Sequence, residues 1–199
     1  MSGHLHDHEK SANVSQRVKK LIARLEERGV TSERDIDTLI ESFLAKSRPE
    51  NGYRVVARAW TDPEFKARLL HHANEAVAEL GIDLSHWAPV RLRVVENTND
   101  THNLIVCTLC SCYPIALLGP SPSWYKSEAY RSRAVSEPRA VLAEFGLTLP
   151  DNVRITVWDS TADARYMVLP QRPAETDALN EDQLAAIVTR NGLIGTALV

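Results

Sequence analysis

The sequence predicts an α+β protein, a layered α/β/β/α domain with an N-terminal helical arm. Three observations predict it. Apolar residues recur with helical spacing as far as Leu80. From Val90 onward the period changes and four short strand-like segments take over, and capped helical segments punctuate them.

Taken in order, residues 1–12 are polar and carry His4, His6 and His8, and are expected to form a disordered tail. The arm spans 13–52. Its first helix carries a stripe of Val14, Val18, Leu21, Ile22 and Leu25 and stops near Gly29. Its second opens at Ser32, with Asp35 as a capping-box-like partner, and its stripe is Ile36, Leu39, Ile40, Phe43 and Leu44. Pro49 and Gly52 then break the pattern. Neither amphipathic helix has a local partner, so the arm either folds back or packs on another subunit.

The catalytic domain is assigned to 53–199. Asp62 with Pro63 predicts a helix running to Gly81, with Phe65, Leu69, Ala73, Ala76, Val77 and Leu80 inward. His71 and His72 fall near its middle and, being adjacent, point apart; they read as surface residues. Strands are predicted at Val90–Glu96, Asn103–Val106, Val153–Trp158 and Arg165–Leu169. Ser136 is expected to cap a helix through Phe145, and Asn180 with Gln183 to open a last one ending near Arg190. Trp60 and Trp87 read as core or interface aromatics.

Bulk properties narrow the function. A net charge of -3 over 199 residues argues against nucleic acid or an anionic membrane as partner. No apolar run reaches the roughly 18 residues that span a bilayer, and the polar start lacks a signal-peptide pattern, so a cytoplasmic protein is expected.

The three cysteines all lie between 107 and 112. An odd, clustered set is no disulfide framework. Cys107 and Cys110 suit a redox pair, but that reading leaves Cys112 unexplained. A turn brings the sulfurs of Cys107 and Cys110 to one ion, and Cys112 is too close in sequence to loop away. If the amide nitrogens of Ser111 and Cys112 deprotonate, they close small chelate rings with the flanking thiolates. Structural zinc wants four side-chain ligands, and no second pair follows. Amide ligation demands a strongly Lewis-acidic ion, such as trivalent iron or cobalt.

Val106-Cys-Thr-Leu-Cys-Ser-Cys-Tyr-Pro114 resembles the metal-binding signature of nitrile hydratase alpha subunits. The likeness continues through Ser123-Trp124-Tyr125-Lys126, Tyr130-Arg131-Ser132-Arg133, Val157-Trp158-Asp159 and Arg165 to Pro173, and upstream through Ala59 to Lys66. This resemblance implies one cobalt(III) per chain, since Thr108 and Tyr113 look like the cobalt branch. Its ligands would be the Cys107 thiolate, Cys110 as sulfinate, Cys112 as sulfenate, and the backbone nitrogens of Ser111 and Cys112. The implied activity is hydration of a small-molecule nitrile to its amide, with Cys112 and Ser111 as catalytic positions. The Cys112 sulfenate, or an activated water beside it, would supply the attacking oxygen. The family also implies a beta-type subunit contributing arginines and a cobalt-insertion activator protein. Asp159 has a counterpart in the hydrogen-bond network around the site, and is otherwise a strand-end turn residue.

Two departures bear on substrate. Family members follow Tyr-Pro with Trp-Pro, whereas this chain has Ile115-Ala116; Tyr113 and Ile115 are the candidate pocket residues. A Gln-Gly-Glu-like segment before the first strand is replaced by Leu84-Ser-His-Trp-Ala-Pro89, which looks more like the cobalt subunit of thiocyanate hydrolase. That subunit is the alternative reading. A nitrile hydratase for a large nitrile, of the toyocamycin type, would reconcile the two. A non-catalytic cobalt carrier is the reading from outside the enzymes.

Overall fold

The computed structural model describes the backbone of residues 3–84, 90–110 and 112–199, with side chains from residue 13 onward. Ser111, Trp87 with the rest of 85–89, and the side chains of His4, His6 and His8 lie outside the described residues.

The chain divides into two compact units, Met1–Ala45 and Lys46–Val199. The first holds α1 (Gly3–Glu27) and α2 (Glu33–Lys46). The backbone is already helical within the segment expected to be a disordered tail. Nothing after Gly3 breaks a helix there, and propagation costs far less than nucleation. Gly29 ends α1 with φ of 63°, the left-handed value a glycine takes without strain. Ser32 and Asp35 cap α2 reciprocally: Ser32 N donates to Asp35 Oδ2 at 2.9 Å and Asp35 N donates to Ser32 Oγ at 3.1 Å. The predicted stripes are present but uncovered, with Val14, Val18, Leu21, Leu39, Ile40 and Leu44 exposed and no buried residue in α2.

In the second unit, residues 49–52 do not end an arm. They open α3 (Pro49–Thr61), a helix the sequence reading missed. Pro49 sits in its first turn, where a missing N–H costs nothing. Gly52 is needed for contact: a Cβ there would come within 2.7 Å of Leu117 O. The long helix expected after Asp62 is two helices, α4 (Pro63–His71) and α5 (Ala73–Glu79). His72 breaks them with φ -135° and ψ 59°, so that α5 turns its own apolar face inward. His71 and His72 are exposed at that break, as surface residues.

All four strands form close to where the sequence placed them: β1 (Arg91–Glu96), β2 (Thr101–Val106), β3 (Arg154–Asp159) and β4 (Ala164–Leu169). They pair as two parallel two-stranded sheets, β1 with β4 and β2 with β3. Parallel pairing requires a long crossover. The link from β2 to β3 carries the cysteines, α6 (Ile115–Leu118), a 3-10 turn at Ser123–Lys126, α7 (Glu128–Ser136) and α8 (Pro138–Glu144). Ser127 caps α7 by accepting from Tyr130 N, so Ser136 ends one helix rather than opening the next. The chain closes with α9 (Glu181–Ile187), opened by the Asn180–Gln183 capping box as predicted, and α10 (Arg190–Ile194), which was not foreseen.

The core lies between β-strands and helices, with Phe65, Leu69, Leu104, Leu117, Met167 and Leu193 fully buried. Each contributes about 1.5–3 kcal/mol by leaving water. Trp60 is half-buried against this core and its Nε1 donates to Pro170 O at 2.8 Å.

One buried polar group ties the C-terminus to β2. His102 is 2% exposed, with Nε2 2.7 Å from Gly195 O and Nδ1 3.3 Å from Asn97 Nδ2. These partners require the neutral ring with its proton on Nε2. Burial holds its pKa below the ordinary value, outweighing the Gly195 carbonyl that raises it. A depressed folded pKa means the unfolded chain binds the proton more readily. The stability His102 contributes is therefore complete above about pH 6.5 and is lost as pH falls below it, with a slope of at most about 1.4 kcal/mol per pH unit. Denaturant titrations at pH 7 and pH 5 should show a loss in the wild type that His102→Gln lacks. Equal losses in both would refute it.

Candidate metal centre

β2 and β3 run in parallel and end together, with Val106 opposite Asp159 and Ser160 N donating to Val106 O at 2.7 Å. The cysteine loop leaves from the carboxyl end of this pair, the place where parallel strands present ligand-binding residues. Cys107 comes straight off β2 and is buried, Cys112 is half-buried, Cys110 is exposed, and none of the three is in a disulfide. Leu109 forms the exposed tip.

The three sulfurs lie within 4.8 Å of one another. Cys107 Sγ is 3.3 Å from Cys110 Sγ, which is 3.1 Å from Cys112 Sγ. Sulfurs about 2.3 Å from a common ion stand about 3.3 Å apart when they meet it at right angles, and about 3.8 Å apart at the tetrahedral angle. The observed spacing suits the first. The donor set therefore fits an ion with perpendicular ligands better than it fits zinc. Cys110 is equally near both neighbours, which gives no preference for one disulfide over a shared ion.

Bonds from outside hold the loop. Asp159 accepts from Thr108 twice, Oδ1 from the backbone N at 2.9 Å and Oδ2 from Oγ1 at 2.5 Å. Tyr130 OH donates to Ile105 O at 2.6 Å, and Tyr125 OH donates to Cys112 O at 3.0 Å. Arg131 Nη1 reaches Thr108 O at 3.5 Å and Cys110 O at 3.4 Å. Burial pushes both phenols above the ordinary tyrosine range, so they remain donors at any physiological pH.

Burial, followed by the hydrogen bond with Cys110, pushes the Cys112 thiol up to about 12, and nearby Arg165 only partly offsets this. Three adjoining sulfurs cannot all ionise without a cation among them, so metal entry must displace their protons.

Of the two candidate pocket residues, Tyr113 is buried, its ring edge-on to Tyr125 at 5.0 Å and 66°. Ile115 opens α6, half-buried against the core. Asp159 is at a strand end and also touches the loop. Tyr125, Tyr130 and Arg131 were not singled out as site residues from the sequence. They sit 13 or more positions from their acceptors, Cys112 and Thr108 in the loop and Ile105 at the end of β2, and no spacing rule connects them. A groove of about 1090 Å³ lies elsewhere, between the α4–α5 break and β1, Trp158 and Tyr166, and includes no cysteine. Among the described residues, the three cysteines are the one group of three or more His, Cys, Asp or Glu able to share an ion. No helix among them is long and apolar enough to cross a membrane.

A mixed helix-and-strand domain presenting three cysteines on one short loop defines a family of metal-binding enzyme subunits. The chain belongs to it: residues 12–197 match nitrile hydratase, alpha chain, whose members are subunits of hydro-lyases. It is 49% identical over 185 residues to the low-molecular weight cobalt-containing nitrile hydratase subunit alpha of Rhodococcus rhodochrous, covering 93% of this chain and 88% of that one. It is 43% identical to thiocyanate hydrolase subunit gamma of Thiobacillus thioparus, covering 86% of this chain and 74% of that one. Among solved structures it resembles a double mutant of the Fe-type nitrile hydratase from Comamonas testosteroni Ni1. There the TM-score is 0.87 at 42% identity, covering 94% of this chain and 90% of that one.

Proposed function

We propose that this chain is the cobalt-bearing catalytic subunit of a nitrile hydratase, converting a nitrile to its amide. The observation that carries the reading is the gathering of three sulfurs within 4.8 Å at the end of β2, in a chain 49% identical to a cobalt-containing relative. Cys107, Cys110 and Cys112 would hold one cobalt(III) through sulfur, with the backbone nitrogens of Ser111 and Cys112 completing the set. Bound there, cobalt supplies Lewis acidity that makes a nitrile carbon electrophilic.

The chain's own residues do the rest. Cys112, as a sulfenate, carries the attacking oxygen or holds the water that does, and its half-burial limits competing solvent. Cys110, as a sulfinate, adds negative charge at the exposed edge. A beta-type subunit supplies arginines to those oxygens, and the uncovered stripes of α1 and α2 offer it an apolar surface. An activator protein inserts the cobalt, and the assembly works in the cytoplasm. The second unit is read as an α/β/β/α layering, with Lys46 rather than residue 53 as its start.

Asp159 should matter without touching substrate. In Asp159→Ala the Thr108 N–H and hydroxyl lose their acceptor, and cobalt affinity is expected to fall about 10–100-fold. Competition against a chelator measures this, and an unchanged affinity would remove Asp159 from the site.

The test of the reading is coexpression with the beta-type subunit, followed by intact mass, metal analysis and assay. One cobalt per chain, three added oxygens and nitrile hydration support it. Zinc, no added oxygen, or turnover of thiocyanate alone would sink it. The lower identity of the thiocyanate hydrolase relative is why that alternative stands second.

A further inference from the structure

Arg131 and Arg133 leave the same helix, yet they are used differently. Arg133 is paired with Glu144 at 2.7 Å and Glu137 at 3.5 Å, an ordinary surface arrangement. Arg131 forms no ion pair among the described residues. Its Nη1 instead spans two carbonyls of the cysteine loop, Thr108 O and Cys110 O. Its Nε is buried and has no partner among the described residues, so this guanidinium is not serving some other local network.

We infer that Arg131 is a positioning residue of the metal loop, setting the separation of the Cys107 and Cys110 sulfurs. This rests on the reading that the loop holds cobalt. The two carbonyls it grips fall either side of Leu109, the exposed tip of the turn. Cys107 needs no help, because it is buried at the end of β2. Cys110 is exposed and lies at the far side of the turn. Asp159 grips the turn at Thr108, and Tyr125 grips it at Cys112. Arg131 grips it between them, from α7, and gives the backbone of Cys110 a fixed point in the protein. Both contacts come from one nitrogen, which the stiff, planar guanidinium holds in a fixed direction, whereas a lysine ammonium on its flexible stem is not so held.

The experiment uses the full chain in its metal-free form, as wild type, Arg131→Met and Arg131→Lys. Circular dichroism and thermal melting establish that each is folded. Two probes then read the sulfurs: cobalt(II), followed by its thiolate charge-transfer absorption, and phenylarsine oxide, which bridges two thiols. Arg131→Met should melt close to the wild type, bind both probes about 10–100-fold more weakly, and show a shifted cobalt band. Arg131→Lys, keeping the charge and a donor but not the rigid plane, should recover part of the affinity. Equal affinity for both probes in Arg131→Met, with an unshifted band, overturns the inference. If Arg131→Met does not fold, the Lys variant decides: wild-type affinity there also overturns it. If the wild type fails to take up cobalt but phenylarsine oxide still distinguishes the variants, the functional reading falls and the role of Arg131 stands.

Discussion

Cys112→Ala is expected to leave a folded chain that no longer retains cobalt or hydrates nitriles. The loss should exceed the roughly 10–100-fold that removal of an outer partner costs, because a ligand and the proposed source of the attacking oxygen go together. Fold should survive: Cys112 is only half-buried, and its carbonyl, which accepts from Tyr125, remains in the variant. Cys112→Ser separates size from chemistry. A hydroxyl is similar in bulk but is a poor substitute for a soft thiolate, so it should fail equally. Metal analysis of the purified complex with parallel circular dichroism checks this. A Ser variant that keeps cobalt and activity would show that the third sulfur is no ligand.

The second large effect lies far from the cysteines in sequence. Gly195 ends α10 with φ of 91°, and a Cβ added there would lie 2.0 Å from Asn103 O and 3.1 Å from Leu104 Cα. Both are backbone atoms of β2 and cannot swing aside. Gly195→Ala must therefore move the helix end off the strand and break the bond from His102 Nε2 to Gly195 O. Left-handed strain and overpacking together should cost about 3–5 kcal/mol. Against a total of about 5–15 kcal/mol, that is a large fraction of the stability. The denaturant midpoint measures it. A shift under about 1 kcal/mol would mean that the contact is looser than it is drawn.

The two effects differ in how far the sequence announces them. Cys107, Cys110 and Cys112 cluster so tightly that their shared purpose is legible without a structure. The capping pairs Ser32–Asp35 and Asn180–Gln183 are legible for the same reason, since their partners lie three residues apart. The four strands were legible as short local segments, Val90–Glu96 among them by its alternation. By contrast, α3 was hidden because Pro49 reads as a breaker unless one knows that a helix starts there. The division at His72 was hidden because the apolar spacing runs on through it.

By itself, then, the sequence determined the local elements, the donor set and the family that the donor set belongs to, because each depends on residues near one another in the chain. Only the tertiary structure decided which strands pair, that β2 and β3 end together beneath the loop, and that Asp159, Tyr125 and Arg131 converge on the loop while Tyr130 bonds the end of β2. Those contacts join residues far apart in sequence. Packing free energy summed over the whole core selects them, and no local pattern of residues encodes that sum.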